Sequence, residues 1–256
     1  MQTFTFTCDA GSFQGVAHDE VIDIKGIRYA TSDRYAQPKP YVYNAGLHLM
    51  SKDAPFALQM PSTTESLLQG THYELLYQEE SCQYLSITLP LYNDSARRLP
   101  VMVWLHGGAY RNGGCDGPAY DRTLLAKEGN LIVIGMNYRL GVLGFGKDLD
   151  GSPSNNGLLD VLEGLRWVQQ NISSFGGDPH NITLFGQSAG ADLARCVMLS
   201  ENTANLYTRV ILQSDPIGAM EERSSIERFV TMESNKIPQN ASSDMAAQIQ
   251  TRLKPS

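Results

Sequence analysis

The sequence predicts an α/β protein, a mostly parallel central sheet with helices on both faces, and three observations carry that expectation. Apolar runs recur from residue 84 onward, at Tyr84–Leu91, Val101–Leu105, Leu131–Asn137, Ile182–Phe185 and Arg209–Gln213. Several are solidly apolar rather than alternating, as strands covered by helices on each side must be. Between them, Gly157–Asn171 sets Leu158, Val161, Leu162, Leu165 and Val168 at the spacing of one helical face. The third observation is a Gly-rich turn placed directly after each of two strands, at residues 106–110 and 186–190.

The elements before residue 84 read differently. In the first thirty residues TFTFT alternates, Gly11 and Gly15 punctuate, and VIDIKGIRYA forms a second alternating run, so short strands and turns are expected. Residues 31–78 carry Pro38, Pro40, Pro55 and Pro61 with little periodicity, which suggests long surface loops around a site. From about residue 215 the chain is polar, with one weak helical stretch. Residues 1–256 are read as a single domain, with 215–256 a divergent tail.

Composition narrows the function classes. Hydrophobic residues make up 42% and charged residues 18%, enough apolar material for a core and too little charge for disorder. The net charge of -7 argues against nucleic acid or an anionic membrane as partner, since both attract basic surfaces. No apolar run approaches the roughly 18 residues of a membrane span. The start, MQTFTFTCDAGSF, has neither a basic region nor an apolar core, so no signal peptide is read and a soluble cytoplasmic protein is expected. Cys8, Cys82, Cys115 and Cys196 are scattered without metal-ligand spacing and are read as isolated thiols. Asn93, Asn171, Asn181 and Asn240 precede X-Ser/Thr, and without export these are chance matches.

The residues that carry chemistry begin with Gly186-Gln187-Ser188-Ala189-Gly190, which follows the strand NITLF and precedes the helical stretch ADLARCVML. Strand, sharp turn and helix are what a nucleophile elbow requires. The glycines relieve crowding, so that the serine oxygen projects above the sheet at a helix N-terminus. Upstream, the strand VMVWL runs into His106-Gly107-Gly108-Ala109-Tyr110. Small residues there let backbone N–H groups face a developing oxyanion, the usual companion of the elbow in α/β-hydrolases.

With these motifs the chain resembles the N-terminal half of a type-B carboxylesterase, the family of bacterial esterases, cholinesterases and cholesterol esterases. The stretches that carry the resemblance are KGIRYA, Arg34-Tyr35, EESCQYLSITLP, PVMVWLHGGAY, NYRLGVLGF, NNGLLD, WVQQNISSFGGDPHNITLFGQSAGA and VILQSD. The resemblance implies an α/β-hydrolase fold, truncated before its last strands. It implies Ser188 as nucleophile, with the N–H groups of Gly108, Ala109 and Ala189 as the oxyanion hole. His106 and Gly107 would support that loop, and Gly186, Gln187 and Gly190 would shape the elbow. It also implies two structural ion pairs, Arg34 with Glu80 and Arg139 with Asp160. The implied activity is hydrolysis of short or medium carboxylic esters, small-molecule substrates handled without metal or organic cofactor.

Departures from the family pattern qualify this. Many members carry Glu before the nucleophile; here it is Gln187, a change also common among bacterial esterases. Exported animal members pair a cysteine of a CPQ segment with one matching Cys82, but here that segment is Met60-Pro61-Ser62. Residues 61–82 also lack the Trp that stacks on choline in cholinesterases, so a cholinesterase is not expected.

A serine hydroxyl needs a histidine to take its proton and an acid to orient that histidine. Family members place these about 100 and 200 residues beyond the serine, in the order Ser, acid, His. Here His18, His48, His72, His106 and His180 all precede Ser188, so no triad acid or histidine is identified. His180 should lie roughly 20 Å from the serine along the strand. His106 is the nearest substitute, although its family role is structural. Asp192, one helical turn past Ser188, reads as an acidic residue favoured in a first turn. Two expectations therefore stand side by side: a serine esterase acting through an acyl-enzyme on Ser188, and an inactive fragment or binding module that kept the fold without the triad. Complementation by a second chain carrying the acid and histidine is a third. In either of the first two, an uncovered RVILQ strand is expected to invite self-association.

Overall fold

The structure, a computed structural model, describes residues 2–59, 72, 76–92, 97–146, 154–217 and 240–242. The Met60-Pro61-Ser62 segment and most of the 215–256 tail lie outside the described residues. The strands are β1 (Thr3–Cys8), β2 (Gly11–His18), β3 (Val21–Arg28), β4 (Ala30–Thr31), β5 (Lys39–Pro40), β6 (Leu47–Leu49) and β7 (Phe56–Ala57). They continue with β8 (Gln78–Glu79), β9 (Tyr84–Pro90), β10 (Leu99–Leu105), β11 (Ile132–Met136), β12 (Gly177–Gln187) and β13 (Arg209–Gln213). The helices are α1 (Thr123–Gly129), α2 (Gly141–Phe145), α3 (Asn156–Asn171) and α4 (Ala189–Leu199).

Nine strands form one sheet, in the order β1-β2-β3-β9-β11-β10-β12-β13, with β6 pairing the first half of β2. The sheet is mixed. The half that holds the Gly-rich turns, β11-β10-β12-β13, is parallel, whereas β1, β2, β3, β9 and β11 run antiparallel in succession. Register brings the parallel strands to a common end: Leu105 stands opposite both Met136 and Gly186, and Gln187 opposite Gln213. The residues after those ends form one rim, the usual place for a site in a parallel sheet.

Both faces are covered. On one, Ile87, Val103, Ile134 and Leu184 pack with Val161, Leu165 and Val168 of α3 and with Leu193 and Val197 of α4. On the other, Val21 and Val133 pack with Ala126 of α1, and Phe185 lies against them. Each fully buried Val, Leu or Ile contributes about 1.5–3 kcal/mol relative to exposure, so this double cover is what sustains the solid apolar strands.

Some boundaries differ from the sequence reading. β12 begins at Gly177, five residues before the apolar run, and β10 at Leu99, two before. Pairing between Leu99 and Gly177 marks the extended starts of both strands, and in β12 the added residues are polar sequence that hydrophobicity does not mark. The segment 31–59 is not only loop: β4 pairs β5, β6 joins the main sheet, and β7 pairs β8.

Arg34 forms a two-pronged pair with Glu80, Nε to Oε1 at 2.7 Å and Nη2 to Oε2 at 2.6 Å. Arg139 does the same with Asp160 deeper in the fold. All four cysteines are free thiols. Asn171 is buried, its Nδ2 donating to the Trp167 carbonyl and its Oδ1 accepting from the Ala10 N–H, so that acceptor motif is structural. Beyond β12, β13 has no strand partner among the described residues, and Ile211 and Leu212 on it are 44% and 36% exposed. Among the described residues no helix is long and apolar enough to cross a membrane.

Candidate active site

Ser188 sits between β12 and α4 with φ 55° and ψ −123°, a conformation that L-residues hold only under constraint. The neighbouring glycines make it feasible. A Cβ on Gly186 would lie 2.4 Å from the Gly190 carbonyl oxygen, and one on Gly190 would lie 2.1 Å from the Leu105 carbonyl oxygen. Only glycine lets the turn close this tightly against β10. Two backbone bonds fix Ser188 itself: its N–H donates to the Gln213 carbonyl at 2.9 Å, and its carbonyl accepts the Asp192 N–H at 3.0 Å.

The loop after β10 meets the elbow directly. A Cβ on Gly107 would lie 2.7 Å from the Gln187 carbonyl oxygen and 3.4 Å from the Ser188 Cβ. The next three residues all have positive φ: Gly108 at 110°, Ala109 at 52° and Tyr110 at 58°. Gly108 is half-buried and Ala109 exposed, and neither N–H donates to an acceptor among the described residues. Ala189 is the first residue of α4, where backbone N–H groups lack helical partners. The structure thus brings Gly107, Gly108, Ala109, Ser188 and Ala189 to one rim.

His106 lies beneath this loop rather than beside the serine. Its Nδ1–H donates to the Gly107 carbonyl at 2.8 Å, and its ring stacks on Tyr138 with centroids 4.5 Å apart. Burial pushes its pKa down to about 4, which leaves it neutral near pH 7. The ring also meets the Gly113 backbone, where a Cβ would come within 2.4 Å of Nδ1. Gly113 is in turn clamped by Gln59, whose Oε1 accepts its N–H and whose Nε2 donates to its carbonyl, both at 2.8 Å. His106 thus lies under the loop with its Nδ1 bonded to the loop's own carbonyl, an arrangement that suits the expected loop-support role better than that of a substitute base.

His18, His48 and His180 are engaged away from the serine or exposed. His18 bonds Asp23 at 2.8 Å, His48 bonds the Asn44 carbonyl, and His180 is an exposed residue of β12. Among the described residues no side chain hydrogen-bonds Ser188 Oγ. No group of three or more His, Cys, Asp or Glu among them is placed to hold a metal ion. A polar cavity of about 260 Å³ lies apart from the rim, lined by Asp23, Lys25, Asp53, Asp116 and Arg122. Its charges are paired with one another, Arg122 to Asp116 at 2.7 Å and Lys25 to Asp53 at 2.8 Å.

The sequence reading missed one part of the rim. Tyr110 Oη donates to Asp192 Oδ2 at 2.6 Å, and Arg195 contacts the other oxygen of Asp192. Arg195 Nε also donates to Asp215 Oδ2 at 2.9 Å. The only signals were an acid in the first turn of α4 and an Arg three residues on, a common helical pairing.

The sequence matches the carboxylesterase family over residues 4–249. It is 37% identical over 217 residues to a probable N-octanoylanthranilate hydrolase of Rhodococcus erythropolis, covering 84% of this chain and 47% of that protein. It is 36% identical over 216 residues to the para-nitrobenzyl esterase of Bacillus subtilis, covering 81% of this chain and 43% of that protein. Among solved structures, a Geobacillus stearothermophilus carboxylesterase superposes with a TM-score of 0.81 at 28% identity, over 98% of this chain and 53% of its own. A para-nitrobenzyl esterase superposes with a TM-score of 0.80 at 29% identity, over 96% of this chain and 50% of its own. The chain spans about half the length of these relatives. With a family match that runs almost end to end and the α/β-hydrolase fold beneath it, the chain belongs to the carboxylesterase family.

Proposed function

We propose that this chain carries the nucleophile and oxyanion hole of a carboxylic ester hydrolase, with Ser188 as the attacking residue. The observation that carries the reading is the placement of a strained Ser188 against a loop whose Gly108 and Ala109 N–H groups are unengaged among the described residues. Ser188 Oγ would attack the ester carbonyl carbon and give up its proton to a base. The carbonyl oxygen, now an anion, would face the N–H groups of Gly108, Ala109 and Ala189. Collapse of that intermediate breaks the bond to the alkoxide, which leaves as the alcohol on taking the proton. Water then adds to the acyl-enzyme, releasing the acid and restoring the hydroxyl. Preorganised donors of this kind contribute about 10²–10³ in rate each. Family membership supports carboxylic esters as the substrate class; we infer short or medium ones, hydrolysed without metal or organic cofactor.

A second reading rests on a specific observation: among the described residues nothing hydrogen-bonds Ser188 Oγ, so the proton acceptor is not in the arrangement described. On that reading the chain holds the fold and the elbow without turnover. Hydrolysis of a short p-nitrophenyl ester by the 256-residue chain, beside Ser188→Ala, separates the two. Turnover lost in the variant supports the esterase. Equal rates, together with no fluorophosphonate adduct on Ser188 in folded protein, sink it.

A further inference from the structure

We propose that Tyr110 and Asp192 are positioning residues that lock the oxyanion loop onto the nucleophile elbow. This deepens the reading of Ser188 and the loop N–H groups given above and rests on it for its catalytic consequence.

The loop needs a lock. Three consecutive residues with positive φ put two L-residues, Ala109 and Tyr110, where side chains are disfavoured, and such conformations persist only when the surroundings over-determine them. The loop's backbone bonds lead elsewhere. The Arg111 and Asn112 N–H groups donate back to the Gly108 carbonyl at 2.9 and 3.0 Å, and the Gly141 N–H of α2 donates to the Tyr110 carbonyl at 2.7 Å. These shape the loop and tie it to α2, while only Gly107 at its base packs against the elbow, so its far side needs a tie of its own. The bond that spans to α4 is Tyr110 Oη to Asp192 Oδ2.

Asp192 suits that role because it is itself held. Its own N–H donates to the Ser188 carbonyl, so a shift of Asp192 is a shift of the elbow. Arg195, a turn further along α4, grips its other oxygen and stops the carboxylate from rotating away. Arg195 is steadied by Asp215, and Asp215 lies two residues past Gln213, whose carbonyl takes the Ser188 N–H. The path from Ser188 through Gln213, Asp215, Arg195 and Asp192 returns to Ser188, and Tyr110 attaches the loop to that ring. The Tyr110 ring lies edge-on to Phe145, centroids 4.7 Å apart, which restricts where its hydroxyl can reach. With Gly107 packed against the Gln187 carbonyl at the base of the loop, the Tyr110–Asp192 bond holds the loop's far side and so helps set how far the Gly108 and Ala109 donors stand from the position an oxyanion would take. Small errors in that distance cost rate without costing binding.

The test uses the full chain with Tyr110→Phe, Asp192→Leu and the double variant, and Asp192→Asn as the conservative control whose amide oxygen still accepts. Two readouts are taken: phosphonylation of Ser188 by a fluorophosphonate, resolved into a binding constant and a maximal rate, and the ¹H–¹⁵N resonances of Gly108 and Ala109. The expected result is a fall of about 10–100-fold in maximal rate for Tyr110→Phe and for Asp192→Leu, with the binding constant little changed. The double variant should be no slower than either single change, because both break one bond. Asp192→Asn should fall between wild type and Asp192→Leu, because its one amide oxygen can accept from Tyr110 or from Arg195 but not from both. The Gly108 and Ala109 resonances should move in the first three variants while core amides stay in place. Unmoved loop resonances in Tyr110→Phe overturn the proposal, as does an Asp192→Leu defect that adds fully to that of Tyr110→Phe. Should the wild-type chain resist labelling, the nucleophile reading falls, and the loop resonances alone still decide whether the lock exists.

Discussion

Arg139 holds both carboxylate oxygens of Asp160, Nε to Oδ2 at 2.8 Å and Nη2 to Oδ1 at 2.7 Å, while its own backbone N–H reaches Oδ2 at 3.0 Å. The pair is 2% and 0% exposed, so it joins α3 to the segment after β11 in a dry interior. Arg139 Nη1 extends the joint to the Ala36 carbonyl at 2.7 Å. Removing one partner of such a pair strands the other charge without water.

Asp160→Asn is therefore expected to lower folding stability by about 3–5 kcal/mol, read from the urea midpoint. Arg34→Gln breaks the corresponding pair with Glu80, which is 19% exposed, and should cost less because water can solvate the released carboxylate. Equal losses at the two sites would count against burial as the cause.

His106 gives the fold an acid-sensitive limb. Its ordinary pKa of 6.5 falls to about 4 in the folded chain because burial disfavours the charged ring. Between those values the unfolded chain binds a proton that the folded chain refuses, so stability declines as pH falls from 6.5 towards 4, by roughly 3 kcal/mol. Below about 4 both states are protonated and this group adds no further slope. His106→Asn should flatten that limb in urea titrations at successive pH values, whatever it does to the absolute stability. His18 works in the opposite sense. Its bond to Asp23 raises its pKa, so its contribution is present below 6.5 and fades as pH rises through the higher folded value. Being 42% exposed, it should leave a much shallower trace.

Gly108 should be intolerant of a side chain at the level of chemistry rather than folding. With φ 110°, a Cβ would stand 2.1 Å from the Asn112 carbonyl oxygen, so Gly108→Ala must reshape the loop that aims its N–H. The half-buried loop can yield without opening the core. The expected outcome is a fall of about 10²–10³ in the rate of Ser188 phosphonylation, with only a small shift in thermal midpoint. A variant that labels at the wild-type rate would remove Gly108 from the oxyanion hole.

What was legible in the sequence follows from what each feature demands locally. The elbow shows because a turn that brings Gly190 against the Leu105 carbonyl admits no Cβ, and that demand is written in adjacent residues. The parallel strands show because cover on both faces forces unbroken apolar runs. The antiparallel half is different: alternation marks β1 to β3 as strands, but nothing local says that β3 pairs with β9 some sixty residues later. The first five residues of β12, GDPHN, carry no apolar mark, and of them Gly177 pairs with Leu99. Tyr110 and Asp192 stand 82 residues apart, and Gln59 and Gly113 stand 54 apart. Each member has an ordinary local reading, a turn aromatic or a first-turn acid, and becomes informative only when the fold joins it to the other.

Among the described residues no strand pairs with the second side of β13, which makes association between chains the remaining expectation. A strand without a neighbour offers a row of backbone donors and acceptors to another chain, and charged side chains are the usual deterrent. Here the exposed apolar residues Ile211 and Leu212 flank that edge, and Leu199, 75% exposed, lies at the end of the helix packed on it. Wild type should therefore show a sedimentation coefficient that rises with concentration. Ile211→Lys puts a charge on the edge where the native side chain is already 44% exposed, so the folded chain loses little while edge-to-edge pairing is opposed. The variant should sediment as a monomer over the range in which wild type associates. A wild-type chain that is monomeric throughout would mean the edge is already covered, and Ile211→Lys would then lower the thermal midpoint instead, because it would bury the new charge.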